Sequence, residues 1–529
     1  MMRMIRCLAL LLLASSAALA QGGRQQRRMP DPADVPTLIV LITIDQFRAD
    51  YLERFGGELT GGLRQLIDEG AVFTNAVHDH AITQSAPGHA SLLSGRYPRS
   101  TGIFRDDGAV LDPQEPILQA PGTGASPFRF RGTTLVDWLR SRDPRSRAFS
   151  VGGHDRGAIL MVGRQPQQVY WYAPNGAFTT STYYADTLPT WVRQFNGRRL
   201  PQGMAGERWM PLRPDSQYTE PDSIAAENGG RELTFPHTLP RNQAQAAAAF
   251  PEYPWMDLHT LNFALHGLRT LRLGSGPQTD LLAISLSATE AIGRRFGPGS
   301  RELHDQILRL DRALGQFLDT LLATRGSQVV VALTSDHGVG LLPQQADSTA
   351  PPGARPVDAT EIIEWYRYSL GQLRLDSTAF HFDNGLLLAD RAAFSRAGVK
   401  ADSTIRSFAA EMRRVPGVVR VDTRATLARD STRSAVARRW AHSLPTDIPA
   451  EVMVTLRPGH VWGKVTYAAN GSPYDYDTKV PIILFGLAFK PGRYTQAVRV
   501  VDLAPTLAWV SATAPGERLD GRMLWAAVR

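Results

Sequence analysis

A chain of 529 residues with one cysteine has no disulfide framework, and that one, Cys7, stands inside a segment that reads as a leader. Any metal held by the rest of the chain must therefore use oxygen and nitrogen donors. Long apolar runs are scarce too: beyond residue 20 nothing approaches the roughly 20 residues that span a bilayer, so no membrane span is expected in the mature chain. There is no internal repeat and no block of like charge. The 58 Lys and Arg against 50 Asp and Glu leave a formal +8 spread along the chain, so no nucleic-acid partner is expected, and the short basic run from Arg24 to Arg28 reads as solvated. With 43% hydrophobic and 20% charged residues the balance is that of a globular protein.

What is present begins with a leader. Residues 1–20 carry Arg3 and Arg6, an apolar stretch from Leu8 to Leu13 and a small-x-small end at Ala18-Leu19-Ala20, the pattern of a cleavable export signal cut near Ala20. The mature protein is expected in a periplasm or outside the cell, with 21–36 as a flexible leader. From 37 to 529 short apolar runs alternate with helical patterns, which predicts an α/β fold with a mainly parallel central sheet flanked by helices. Candidate strands are 37–44, 147–153, 280–287, 328–335 and 480–486. Leu303, Ile307, Leu310, Leu314, Phe317 and Leu321 recur at helical spacing and define one helix face. The stretches 160–275 and 341–375 read as insertions or surface loops, and 378–458 as a small α/β subdomain with strands "FDNGLLLA" and "AEVMVTLR" around helices near 403–413 and 431–442.

Sites of open α/β sheets lie beyond the carboxyl ends of the strands. The first strand runs into Asp45, and "QVVVALTS" runs into Asp336-His337. Between them, "TQSAPGHAS" places Ser85 two residues before a proline that suits the first turn of a helix, where free amides favour an anion. Two aspartates, a histidine and a serine oxygen can form a tetrahedral zinc site in which the metal acidifies the hydroxyl and makes serine a nucleophile. Each piece alone is also what a helix cap or turn former looks like; their coincidence favours the site. His89 reads as a hydrogen-bonding residue behind the serine, Asp475 and Asp477 as loop-holding residues, and the aromatic run 170–172 as packing.

The segments "TIDQFRADYL", "TQSAPGHASLLSGRYPRSTGI", "GGHDRGAILMVG", "SLSATEAIGRRFGP", "LTSDHGV" and "NGSPYDYDTKVPIILFG", in this order, resemble the alkaline phosphatase superfamily, in particular its phosphate-irrepressible alkaline phosphatase branch near the nucleotide pyrophosphatase/phosphodiesterases. The resemblance implies a phosphoric ester hydrolase with two zinc ions, Ser85 as the nucleophile that becomes phosphorylated, and Asp45, Asp336 and His337 as ligands of the ion that activates it. The ligands it implies for the second ion are altered: an Asp and a His are replaced by Glu290 and Arg294, and a further His by Asn470. Guanidinium has no lone pair to give and the amide oxygen is neutral, so Glu290 and Asn470 form at most a weak remnant, and one zinc per chain is expected. Around the phosphate, the resemblance implies substrate contacts at His154, Arg156 and Asp106. His154 replaces a lysine and could protonate a leaving group. Asp106 replaces an asparagine, and its charge would repel a phosphate dianion. Arg294 either clamps substrate oxygens or pairs with Glu290 one helical turn away. Three readings follow: a phosphoric ester hydrolase with weak or altered activity, a non-catalytic relative that binds an anion or a partner, and a one-metal hydrolase of diesters or sulfate esters.

Overall fold

The structure is a computed structural model that describes residues 30–31, 34–225, 227–342, 356–463 and 468–529. The leader assigned to 1–20 and most of 21–36 lie outside the described residues, as does 343–355 within the second expected insertion. No helix among the described residues is long and apolar enough to cross a membrane.

The core is a ten-stranded sheet. Its strands are β1 (Leu38–Ile44), β2 (Ala71–Val77), β3 (Ala148–Gly152), β4 (Gln168–Tyr172), β5 (Phe178–Thr179), β6 (Asp280–Leu286), β7 (Val329–Thr334), β8 (Lys479–Phe485) and β9 (Gly492–Tyr494), with Val498–Arg499 beside β2. The order is β9-β2-β8-β7-β1-β6-β3-β4-β5, and the middle of the sheet, β7-β1-β6-β3-β4, is parallel. β1, β3, β6 and β7 are buried at every position, which is why they read as unbroken apolar runs: helices cover both faces. One of these is α4 (Arg301–Arg325), whose predicted apolar face is buried in full.

Register decides where chemistry can occur. Ile44 is level with Leu286, and Thr43 with both Ser285 and Thr334, so the chain leaves β1, β6 and β7 along one line. Asp45, Ser287 and Asp336 stand just past that line. α1 (Ser85–Leu92) and α2 (Asp155–Val162) begin near it, and α3 (Ala288–Phe296) leaves β6 from it.

Two parts differ from expectation. The 160–275 stretch is not all loop: β4 pairs with β3, and the helix Trp255–Thr270 packs beneath, with Phe263 stacked on Phe178 and edge-on to Tyr170. Aromatic bulk rather than aliphatic periodicity fills this part of the core. In the small region, "FDNGLLLA" is two strands, not one. Phe380–Asp383 and Leu386–Ala389 pair antiparallel about Asn384-Gly385, both with positive φ (45° and 84°), the signature of a two-residue hairpin. With Ala450–Leu456 and Val418–Thr423 they form a separate four-stranded antiparallel sheet. The expected helix near 431–442 is Ala435–Ser443, preceded by a separate helix at Arg424–Asp430. Trp440 and Leu444 pack against Ala81 and Ile82, and Arg438 pairs with Asp79 at 2.9 Å, so this region grips the segment that leads into Ser85.

Candidate metal and phosphoryl site

Ser85 opens α1 with Gln84 as the residue before it. Its hydroxyl is buried and lies 3.3 Å from His337 Nε2. His337 Nδ1 lies 2.7 Å from the carbonyl oxygen of Gly338 and donates its proton there, so Nε2 keeps its lone pair for the site. Asp336 Oδ1 is saturated by the amides of Gln46 (2.9 Å) and His337 (2.8 Å). Its Oδ2 is buried with no hydrogen-bond partner and sits 3.4 Å from His337 Nε2. A tetrahedral ion with arms of about 2.0 Å has ligand edges of about 3.3 Å. An orphaned carboxylate oxygen, a directed imidazole nitrogen and a hydroxyl at these separations fit a zinc-sized cation with nitrogen and oxygen donors.

Asp45 completes that half. Ser285 on β6 donates to both of its oxygens, at 3.0 and 3.1 Å, and His89 Nε2 lies 3.3 Å away. Burial works to raise the Asp45 carboxyl, but His89 and His154 outweigh it and hold it at about 2. Asp336 is pushed up by burial, with Asp45 and Glu290 adding to the effect against His337 and His89. A carboxylate under that pressure gains from a bound cation. His89 is fully buried; its Nδ1 contacts the Ser85 carbonyl oxygen at 2.8 Å, behind the hydroxyl-bearing turn.

The other half is built differently. Arg294 pairs with Glu290 at 3.4 Å across one turn of α3. Asn470 donates its amide N–H to the Thr83 carbonyl at 2.9 Å, which fixes the amide's orientation, and the same nitrogen faces His337 Nε2 at 3.3 Å. A protonated amide nitrogen has no lone pair for a metal. His154 caps α2: its Nδ1 accepts from the Gly157 amide at 3.2 Å, and its buried Nε2 lies 2.9 Å from Asp45 Oδ2 without the alignment of a hydrogen bond. Glu290 Oε2 is 3.8 Å from the same nitrogen. Asp45, His154 and Glu290 thus converge as a metal site would. Glu290 lies well below the usual carboxylate range: burial opposes ionisation, but the nearby His154, His337 and Arg156 outweigh it.

Asp106 does not stand alone. Its Oδ1 accepts the Ala86 amide at 2.7 Å, and its Oδ2 is 3.7 Å from Arg156 Nε. The structure therefore brings all ten expected residues to one end of the sheet. Ser285 and Thr83 were not foreseen. A serine facing inward on a buried strand, as in "LLAISLS", is the signal that marked the first; Thr83 offers only its backbone carbonyl and leaves no such trace.

Residues 39–454 match the type I phosphodiesterase/nucleotide pyrophosphatase family. The chain belongs to this family, within the alkaline phosphatase superfamily. It is 30% identical over 531 residues to alkaline phosphatase PhoK of Sphingomonas sp., covering 93% of this chain and 91% of that one. It is 29% identical over 527 residues to alkaline phosphatase PhoV of Synechococcus elongatus, covering 95% of each. A crystal structure of wild-type alkaline phosphatase PafA superposes with a TM-score of 0.84 at 24% identity, covering 94% of this chain and 99% of that one, which establishes the fold.

Proposed function

We propose that the chain is an exported, metal-dependent hydrolase of phosphoric esters that works through a phosphoserine at Ser85. The observation that carries the reading is the buried Ser85 hydroxyl at a helix start, 3.3 Å from His337 Nε2 and beside the orphaned Asp336 Oδ2. Family membership and relatives named alkaline phosphatases support the reaction class.

Asp45, Ser85, Asp336 and His337 would hold one divalent ion, for which zinc suits the donors. When bound, the ion supplies Lewis acidity that lowers the hydroxyl's pKa. The protein's own groups do the rest. The turn at Gln84 presents Ser85 Oγ to phosphorus; the Ser85 O–H bond breaks and the oxygen–phosphorus bond forms as the ester oxygen departs with its electron pair and takes up a proton, and water then cleaves the phosphoserine, releasing phosphate and returning a proton to Ser85 Oγ. Arg156 holds phosphoryl oxygens, Arg294 adds positive charge at the far side, and the capped His154 ring stands beside Asp45 and adds to the field that keeps it ionised. The guanidinium of Arg294 and the N–H of Asn470 leave Glu290 without partners for a second cage, so we assign one tightly held ion and a monoesterase rate well below that of a two-metal site.

The test combines metal analysis of the purified mature protein with hydrolysis of an aryl phosphate. One ion per chain, slow turnover, and a drop of about 1,000-fold in Ser85→Ala are expected. Two tightly held ions with brisk turnover would overturn the one-ion assignment, and activity untouched in Ser85→Ala would overturn the phosphoserine. If wild type cleaves no phosphate or sulfate ester, anion binding without turnover takes the place of the hydrolase reading.

A further inference from the structure

We propose that Asp106 is a specificity-determining residue: its carboxylate takes the anion position at the head of α1 and offsets Arg156, so the site disfavours the dianion of a phosphate monoester against a monoanionic ester. The proposal rests on the reading of Ser85 as nucleophile.

The start of α1 has few donors to offer. Pro87 has no N–H, and the Gly88 amide is returned to Gln84 O at 3.0 Å. That leaves the amides of Ser85 and Ala86, and Ala86 already donates to Asp106 Oδ1 at 2.7 Å. The carboxylate is held there from behind, since the Asp106 amide donates to Gln84 Oε1 at 2.9 Å. Its second oxygen faces Arg156. Two groups that would otherwise greet a phosphoryl oxygen, a helix-start amide and a guanidinium, are therefore engaged by a negative charge built into the protein.

The charges around the serine point the same way. Asp45, Asp106, Glu290 and Asp336 carry four negative charges; Arg156 and Arg294 carry two positive ones. Fixed carboxylates thus outnumber fixed guanidiniums around the serine, and each negative charge on the substrate adds to that excess.

Space adds a second argument. Asp106 lies on the rim shared by two cavities. One, of about 300 Å³, is lined by Gln84, Arg294, Trp440 and Asn470; the other, of about 460 Å³, by Leu111, His154, Arg156 and Tyr172. Ser85 lines neither cavity, but Gln84 beside it lines the first and Arg156 the second, so a substrate held between these residues has space on either side of Asp106. A monoester fills one side, whereas a diester is monoanionic and uses both. A sulfate monoester meets the charge condition and leaves one cavity empty.

The experiment measures kcat/KM for an aryl phosphate monoester, a bis-aryl phosphate diester and an aryl sulfate, together with Ki for inorganic phosphate, in wild type, Asp106→Asn and Asp106→Glu. Asparagine keeps an oxygen for the Ala86 amide and removes the charge. The monoester-to-diester ratio is expected to rise at least about tenfold in Asp106→Asn, with phosphate inhibiting at correspondingly lower concentration, while Asp106→Glu retains the wild-type ratio. Ratios that stay fixed, with Ki unchanged, while turnover still depends on Ser85 overturn the role of Asp106 alone. Turnover independent of Ser85 overturns the nucleophile reading beneath it. A wild-type preference for the sulfate over the diester overturns the two-cavity assignment.

Discussion

The two halves of the site share Asp45 and differ in what holds them. Asp45, Asp336 and His337 follow directly from central parallel strands, are fully buried, and have nearly every polar atom committed to a neighbour: Ser285 on Asp45, two backbone amides on Asp336 Oδ1, the Gly338 carbonyl on His337 Nδ1. Changing one of them strands buried partners, at about 1–3 kcal/mol for each unsatisfied group. Arg294 and Asn470 stand on a helix one turn beyond β6 and on a loop. The Arg294 side chain is 40% exposed, and its replacement leaves the sheet untouched. Ligands tied to strand ends are coupled to the core, and ligands on helix faces and loops are not. On the proposed reading, the first kind forms a cage for a cation and the second kind does not.

The strongest way to break this comparison is Asp336→Asn. It removes the orphaned oxygen, and the bound ion is expected to be lost along with about 1,000-fold or more of the turnover, checked by metal analysis beside steady-state kinetics. Retention of the ion would mean that the cage is not at this strand end. The opposite manipulation rebuilds the altered half. Glu290→Asp, Arg294→His and Asn470→His together are expected to add one ion per chain and raise the monoesterase rate by tenfold or more, since one preorganised charge-stabilising contact is worth about 3–4 kcal/mol.

A smaller effect concerns Asp257, which caps α3, the helix that carries Glu290 and Arg294. Its oxygens accept from the Ala288 amide at 3.0 Å and Gln306 Nε2 at 2.9 Å, and burial pushes its pKa up to about 7. A carboxyl with a raised folded value makes the fold less stable as pH climbs from its unfolded value near 4 through 7. Asp257→Asn is therefore expected to stabilise the protein by about 1–2 kcal/mol at pH 8, and the gain should fade as pH drops toward 4. Thermal unfolding at several pH values checks the sign. The smallest effect is Arg294→Ala, expected to shift stability by no more than about 0.5 kcal/mol because its side chain is 40% exposed and lies 3.4 Å from Glu290, a long contact. A loss of several kcal/mol would show that the altered half is as deeply bound to the core as the other.

Much of the fold was legible because parallel strands covered on both faces leave plain apolar runs, and because the face of α4 repeats at helical spacing. β2, "AVFTNAV", escaped because polar Thr74 and Asn75 interrupt it where it is only partly buried. The hairpin at Asn384-Gly385 was merged into one strand although the dipeptide is a turn signal, since the apolar pattern on either side continued across it. In the site, Ser85, Asp45 and Asp336-His337 stood out by their place at element ends. The capping of α2 by His154 and the grip of Asp106 on the Ala86 amide could not be read, because both depend on the angle at which separate turns meet.

The amino-acid sequence by itself determined that this chain forms a parallel α/β core and that any metal it holds must use oxygen and nitrogen. Those conclusions rest on composition and periodicity, which are properties of residues in order; that a guanidinium and an amide stand at ligand positions is what the resemblance to the family implies. Only the tertiary structure decided which nitrogen of His154 caps α2, that Asp106 meets Arg156 and the head of α1, and that Asp336 keeps an oxygen with no hydrogen-bond partner. Hydrogen bonds discriminate over tenths of an ångström, and such distances are set when strands that lie about 20 to 290 residues apart in the chain pack side by side.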